Sequence, residues 1–116
     1  MSDQAADSPF TLEIERHPDV AVVRCHGRLV SGSHDVFYTE VRPLIPTNKR
    51  VVLDFTHLAQ MDSMGLGTLI RLYVSAKTGG CSLELINVGP KIRQLLGITN
   101  VLSAFAVVGE NGIPIH

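Results

Sequence analysis

A single α/β domain built on a mixed sheet is the fold class that this sequence predicts, and three observations carry the prediction. Apolar runs of strand length, VAVVRC, RVVLDF and CSLELINV, alternate with segments whose apolar residues recur at helical spacing. The first two strand-like runs are joined only by HPD, which favours an antiparallel hairpin, whereas the later ones are separated by helix-length crossovers that favour parallel pairing. The chain has 116 residues, 45% of them hydrophobic and 18% charged, which suits one self-sufficient core and leaves little room for a second domain.

FTLEIER (10 to 16) alternates apolar and polar residues and is expected to be an edge strand with one wet face. VAVVRCHG (20 to 27) is nearly continuous in its apolar character and is expected to lie further inside the sheet. After RLVSGS, residues 34 to 45 place Val36, Phe37, Val41, Leu44 and Ile45 at roughly helical spacing, with Ser33 as N-cap and Pro43 disturbing the end. RVVLDF (50 to 55) is a short β-branched strand. A second helix follows, with Leu69, Ile70, Tyr73 and Ala76 expected inward and Met64, Thr68, Arg71 and Ser75 outward, until Thr78-Gly79-Gly80 stops it. CSLELINV supplies a strand, Pro90 opens a helix through about Thr99, and AFAVV closes the order β-β-α-β-α-β-α-β. The domain is expected to span residues 9–108, with 1–8 and 109–116 as flexible termini.

Ten basic and eleven acidic residues give a formal net charge of −1, so there is no broad cationic surface for direct nucleic-acid binding. No apolar run approaches the ~20 residues of a membrane span, so membrane insertion is not expected, and the polar, acidic start MSDQAADSPF lacks a secretion signal, which makes the cytoplasm the expected compartment. Cys25 and Cys81 stand apart from any CxxC or Cys/His-rich arrangement and read as buried, reduced thiols. Histidines 17, 26, 34, 57 and 116 form no pair at helical ligand spacing, so no metal site is expected.

The chemistry concentrates in MDSMGLG, residues 61 to 67, where an acid, a hydroxyl and two glycines interrupt an apolar region. Asp62 and Ser63 are both N-cap residue types, and either can accept a bond from an amide in the first helical turn. One cap is sufficient, so the second polar residue calls for another role. A nucleophile elbow needs glycine two places before the serine, where this chain has Met61. A dinucleotide fingerprint fails at Ile70 and lies too far from the strand end, although Glu84 stands at a suitable distance. No set of residues brings a nucleophile, base and oxyanion site together, so neither catalytic residues nor a cofactor is expected, and an enzyme is not the expected reading.

VVLDFTHLAQMDSMGLGTLI resembles the signature of STAS domains, in particular bacterial anti-sigma factor antagonists. GRLV, LELINVGPKIRQLL and ITNVLSAFAV resemble further segments of that family in the same order. The resemblance implies a partner switch in transcription regulation. In its dephosphorylated form such an antagonist binds an anti-sigma factor, commonly a serine kinase, and so releases a sigma factor. Carried onto this chain, the phosphorylation site is Ser63, with Asp62 as its acidic neighbour. The partner-binding surface would comprise Asp62, Ser63, Met64, Gly65, Thr68 and Arg71. A PP2C-like phosphatase would restore the binding form, and ATP would belong to the kinase. Two positions depart from the family pattern: Met64 stands where serine or threonine is frequent, and Val30 where Asp often follows Gly-x-Leu. The competing expectation is a STAS scaffold without a switch, serving as a subunit of a signalling or lipid-transport assembly.

Overall fold

The computed structural model describes residues 10–98 and 106–107. Strand β1 (Thr11–His17) turns through Pro18 and Asp19 into β2 (Val20–Leu29). Asp19 takes the positive φ of 65° that this two-residue turn demands, and its carbonyl accepts the amides of Lys49 (2.7 Å) and Arg50 (3.1 Å), which ties the hairpin to the start of the next strand. Helix α1 (His34–Val41) runs on into a 3-10 turn, Arg42–Leu44. Pro43 has no amide to donate, so the α-helix gives way to the 3-10 turn there and does not continue to Ile45. Then come β3 (Arg50–Met61), α2 (Ser63–Gly79), β4 (Ser82–Ile86), α3 (Pro90–Ile98) and β5 (Ala106–Val107). The expected flexible termini, Thr99 at the end of α3 and the flanks of the last strand lie outside the described residues.

The strands lie in the order β1-β2-β3-β4-β5, with β1 antiparallel to β2 and every later pair parallel. Because the order advances in one direction, right-handed crossovers must all pass over the same face of the sheet. The core agrees: Ile14, Val23, Leu53 and Leu85 form one row across the register, and with Phe37, Leu69, Leu72, Ile92 and Leu96 they belong to a single apolar cluster reached by all three helices. The other face holds a small buried cluster, Val20, Val22, Val52 and Ile86, together with ion pairs. Arg24 meets Glu15 at 2.6 Å, and Arg50 grips Glu84 through Nε (3.0 Å) and Nη2 (2.7 Å). Glu84, the acid at nucleotide-fingerprint distance, is thus bound to Arg50 in the sheet.

Strand β3 is about twice as long as the RVVLDF segment expected. Its pairing with β4 ends at Asp54, but its pairing with β2 continues to Met61 through register shifts after Arg24 and after Gly27. THLAQM is therefore strand and not loop, and it delivers the chain directly to Asp62.

The candidate site at the β3–α2 junction

Asp62 is the cap that opens α2. Its backbone is extended (φ −113°, ψ −171°), and its Oδ1 accepts the amides of Met64 (2.9 Å) and Gly65 (3.1 Å). Its Oδ2 accepts the amide of Ser31 at 3.0 Å, so the same carboxylate ties the β2–α1 loop to the start of the helix. Burial pushes the carboxyl up, but the bonds from the Ser31, Gly65 and Met64 amides together outweigh it and hold Asp62 below the ordinary carboxylate range. The group is an anion, and both of its oxygens are engaged by backbone amides.

With the cap assigned to Asp62, Ser63 becomes the first helical residue and its side chain is exposed. Gly65 has a steric reason to be glycine: a Cβ there would overlap the Leu29 carbonyl oxygen and lie 2.9 Å from the Leu29 Cγ. Strand β2 thus packs directly on the backbone of the first helical turn. Gly67 has no such constraint, since a Cβ would meet nothing within 4 Å.

The loop between β2 and α1 closes the site from the other side. Ser33 stands at the N-cap position of α1, but its hydroxyl caps no helical amide. Its Oγ accepts the Val30 amide (3.0 Å) and lies 2.7 Å from the Arg28 carbonyl, to which it donates. At the departure position Val30, the loop is therefore held by Ser33 and by the Asp62–Ser31 bond, with no acid of its own. Gly32, at φ 99°, supplies the left-handed turn.

The outward face of α2 differs from the one read off the sequence. Met64 (46% accessible) and Arg71 are exposed as expected, and Leu69 and Ala76 are buried as expected. Thr68, assigned to the partner surface, is only 3% accessible, and its hydroxyl donates to the Met64 carbonyl at 3.0 Å. Gly65 is buried as well, so neither presents a side chain to a partner. Ile70, assigned inward, is 36% accessible, and Val74 is 55% accessible. The cause is the second layer of packing. Gly65, Leu69, Leu72 and Ala76 form the buried stripe, and α1 packs alongside α2, with the Arg71 guanidinium 4.5 Å above the Tyr38 ring. Thr68, one turn before Leu72 on that flank, is enclosed. Ser63, Gly67, Ile70 and Val74, at spacings of four, three and four, form the free ridge. The missed signal was the apolar i, i+4 pair 70/74, which cannot share a face with 65/69/72/76.

Folding also joins residues that the sequence keeps apart. His26 and His57 stack in parallel at 5.0 Å, and His26 Nε2 lies 3.3 Å from Glu13. Stacked rings direct their nitrogens side by side and do not converge on one point. Among the described residues no group of three His, Cys, Asp or Glu could hold a metal ion. Cys25 and Cys81 are both buried and unpaired, and burial pushes each thiol up in pKa. Among the described residues, no helix is long and apolar enough to cross a membrane.

The five-stranded sheet, with all three helices on one face and an Asp-Ser junction capping the second, defines the class as a small α/β domain. The comparisons with known proteins make the assignment: residues 11–111 match the STAS domain, and the chain belongs to that family. A STAS-domain containing protein of Pseudomonas aeruginosa (strain UCBPP-PA14) is 28% identical over 85 residues, 73% of this chain and 84% of the relative. An anti-sigma factor antagonist from Mycobacterium paratuberculosis superposes with a TM-score of 0.77 at 18% identity, covering 90% of this chain and 87% of that one. The anti-sigma factor antagonist SpoIIAA in its unphosphorylated form gives 0.68 at 19%, covering 85% and 86%. The murine anion transporter Slc26a9 gives 0.71 at 17%, covering 83% of this chain but only 17% of the transporter. At these identities the structural likenesses establish the fold alone.

Proposed function

We propose that this chain is an anti-sigma factor antagonist that works as a phosphorylation-controlled partner switch. Unphosphorylated, it binds an anti-sigma factor with serine-kinase activity and thereby frees a sigma factor; phosphate on Ser63 ends the binding, and a PP2C-like phosphatase restores it. The observation that carries this reading is the division of labour at the junction. Asp62 takes the cap, which leaves the Ser63 hydroxyl exposed at the first helical position, where a kinase can reach it without dismantling the helix.

Phosphate at Ser63 adds about −1.5 to −2 charge at neutral pH, next to the favourable end of the α2 dipole, so the isolated fold tolerates it. The partner surface does not, because the charge would be desolvated against a face shaped for a hydroxyl. About 2.7 kcal/mol of penalty weakens affinity roughly a hundredfold. The contact surface comprises Ser63, Met64 and Arg71 together with Ile70 and Val74; Asp62 shapes it, and Gly65 and Thr68 lie beneath it. The protein acts by binding, in the cytoplasm, with ATP supplied at the kinase.

Affinity capture from native cells with unphosphorylated and Ser63-phosphorylated chains tests the switch. The expected result is a serine kinase or anti-sigma protein retained by the first and lost by the second. Equal retention by both forms refutes it. The fold shared with a transporter's domain favours a second reading, a constitutive subunit of a larger assembly, for which phosphorylation would leave retention unchanged.

A further inference from the structure

Three of the four large hydrophobic side chains that the described residues leave exposed, Met64, Ile70 and Val74, lie on one helix. α2 carries Arg71 and Lys77 but no Asp or Glu in its 17 residues, although the chain as a whole is almost neutral. Both cations are held against rings: the Arg71 guanidinium 4.5 Å over Tyr38 and the Lys77 amine 5.8 Å from the centre of Tyr73. They are thereby partly ordered before any partner arrives. Beyond Val74 the ridge runs into a groove between the end of α1 and the end of α2, where Arg42 adds a third cation. The nearby carboxylates each have a partner or a setting of their own. Asp35 is 3.3 Å from His34, Glu40 lines the opposite groove beside β1, and Asp62 is occupied by three amides.

We infer that the outward face of α2 docks an acidic amphipathic helix. This deepens the partner-switch reading by naming the chemistry of the partner's contact segment. A helix has no free backbone edge, so the occupant cannot add as a strand and must pack side chains. The ridge from Ser63 to Val74, with Met64 beside it, spans about 16 Å at 1.5 Å per residue, which suits an occupant of about three turns. The flanking cations select carboxylates beside the occupant's apolar stripe. Gly67, which leaves bare backbone between Ser63 and Ile70, is a notch for a large apolar side chain. An acidic occupant also gives the phosphate its effect, because a dianion at Ser63 repels a partner that already carries negative charge.

The test uses the full chain carrying Ser63→Ala, labelled with nitrogen-15, so that no outcome depends on the phosphorylation switch. It is titrated with two synthetic helical peptides that share one leucine stripe, flanked by glutamates in one and by lysines in the other. The glutamate peptide is expected to move the amide resonances of Ile70, Arg71 and Val74, and to bind at least tenfold more tightly than the lysine peptide. Val74→Asp is expected to abolish that binding, and Arg71→Glu to erase the charge preference, each with an otherwise unchanged spectrum. Equal binding of the two peptides, or shifts centred away from α2, overturns the inference. A dimer of the chain alone that Val74→Asp dissolves would assign the face to a second copy and overturn it. Cosedimentation with phosphatidylglycerol vesicles without preference between the peptides would assign the face to a lipid surface, with the same consequence.

Discussion

Gly65→Ala places a single methyl group where the structure has no room for it. The added carbon would overlap the Leu29 carbonyl oxygen and approach the Leu29 carbonyl carbon to 3.1 Å. That oxygen belongs to a fully buried residue and also accepts the Asp62 amide at 3.3 Å, so it cannot move without disturbing the cap. Overpacking of this kind costs about 1 to 3 kcal/mol, and loss of the Asp62 bond adds about 1. Against these stands the helix-propensity gain of alanine over glycine, about 1 kcal/mol. The net is a destabilisation of about 1 to 3 kcal/mol. Gly67→Ala provides the internal control, because its methyl meets nothing within 4 Å and the propensity gain remains, about 0.5 to 1 kcal/mol of stabilisation. Urea unfolding of the two variants should therefore move the midpoint in opposite directions. With a slope of about 1 to 3 kcal/mol per molar, the separation is on the order of 1 M. Equal midpoints would refute the packing of β2 against the first turn of α2.

The remaining predictions concern the cap, the two faces of α2 and acid stability. Asp62→Asn keeps an acceptor for the Met64 and Gly65 amides but presents an NH2 group where Ser31 donates, so stability should fall by about 1 kcal/mol and the Ser31 amide should exchange faster with solvent; an unchanged Ser31 exchange rate would show that the loop is not tied there. Leu72→Ala should cost about 2 to 5 kcal/mol, whereas Ile70→Ala should stay within about 1 kcal/mol and weaken partner binding instead; urea midpoints and calorimetry separate them, and equal stability losses would return Ile70 to the core. The folded-state pKa of Asp62 is depressed, so its stabilising contribution is fully present above the ordinary carboxylate value of about 3.9 and is lost as pH falls through the folded value. Wild type should therefore lose stability below about pH 4 more steeply than Asp62→Asn, and parallel curves would contradict the three-amide account of that carboxylate.

The strand segments and their pairing directions were legible because each signal was local. The two-residue turn left β1 no choice but to return beside β2, and helix-length segments left the later strands no simple alternative to parallel crossovers. The length of β3 was not legible. Residues 56 to 61 are strand because His26, Gly27, Arg28 and Leu29 lie beside them, and the register shifts that keep them paired leave no mark in either segment alone. The helix faces failed for a related reason. A periodicity argument assumes one buried stripe, but α2 packs on the sheet and on α1 at once, which turns Thr68 inward and frees Ile70. Pro43, by contrast, acts through its own missing amide, and its interruption of α1 was visible at once.

The proposed switch gives the two capping residue types that stand side by side separate duties. A hydroxyl that caps a helix is tied to an amide, and a modification that must leave the fold intact cannot fall on such a group. Asp62 removes the conflict by satisfying Met64 and Gly65 with one oxygen and Ser31 with the other, which leaves Ser63 exposed and free of capping duty. The same arrangement holds the β2–α1 loop beside the serine, so the surface next to Ser63, where the proposed partner would bind, is tied in place by the Asp62–Ser31 bond. A charge added at Ser63 then changes the surface potential and leaves the core as it was. The exposed ridge below it extends that surface along the helix, away from the sheet that stabilises it. On the proposed reading, recognition and stability therefore rest on different faces of α2: the buried stripe Gly65, Leu69, Leu72 and Ala76 packs the domain, while Met64, Ile70 and Val74 are exposed.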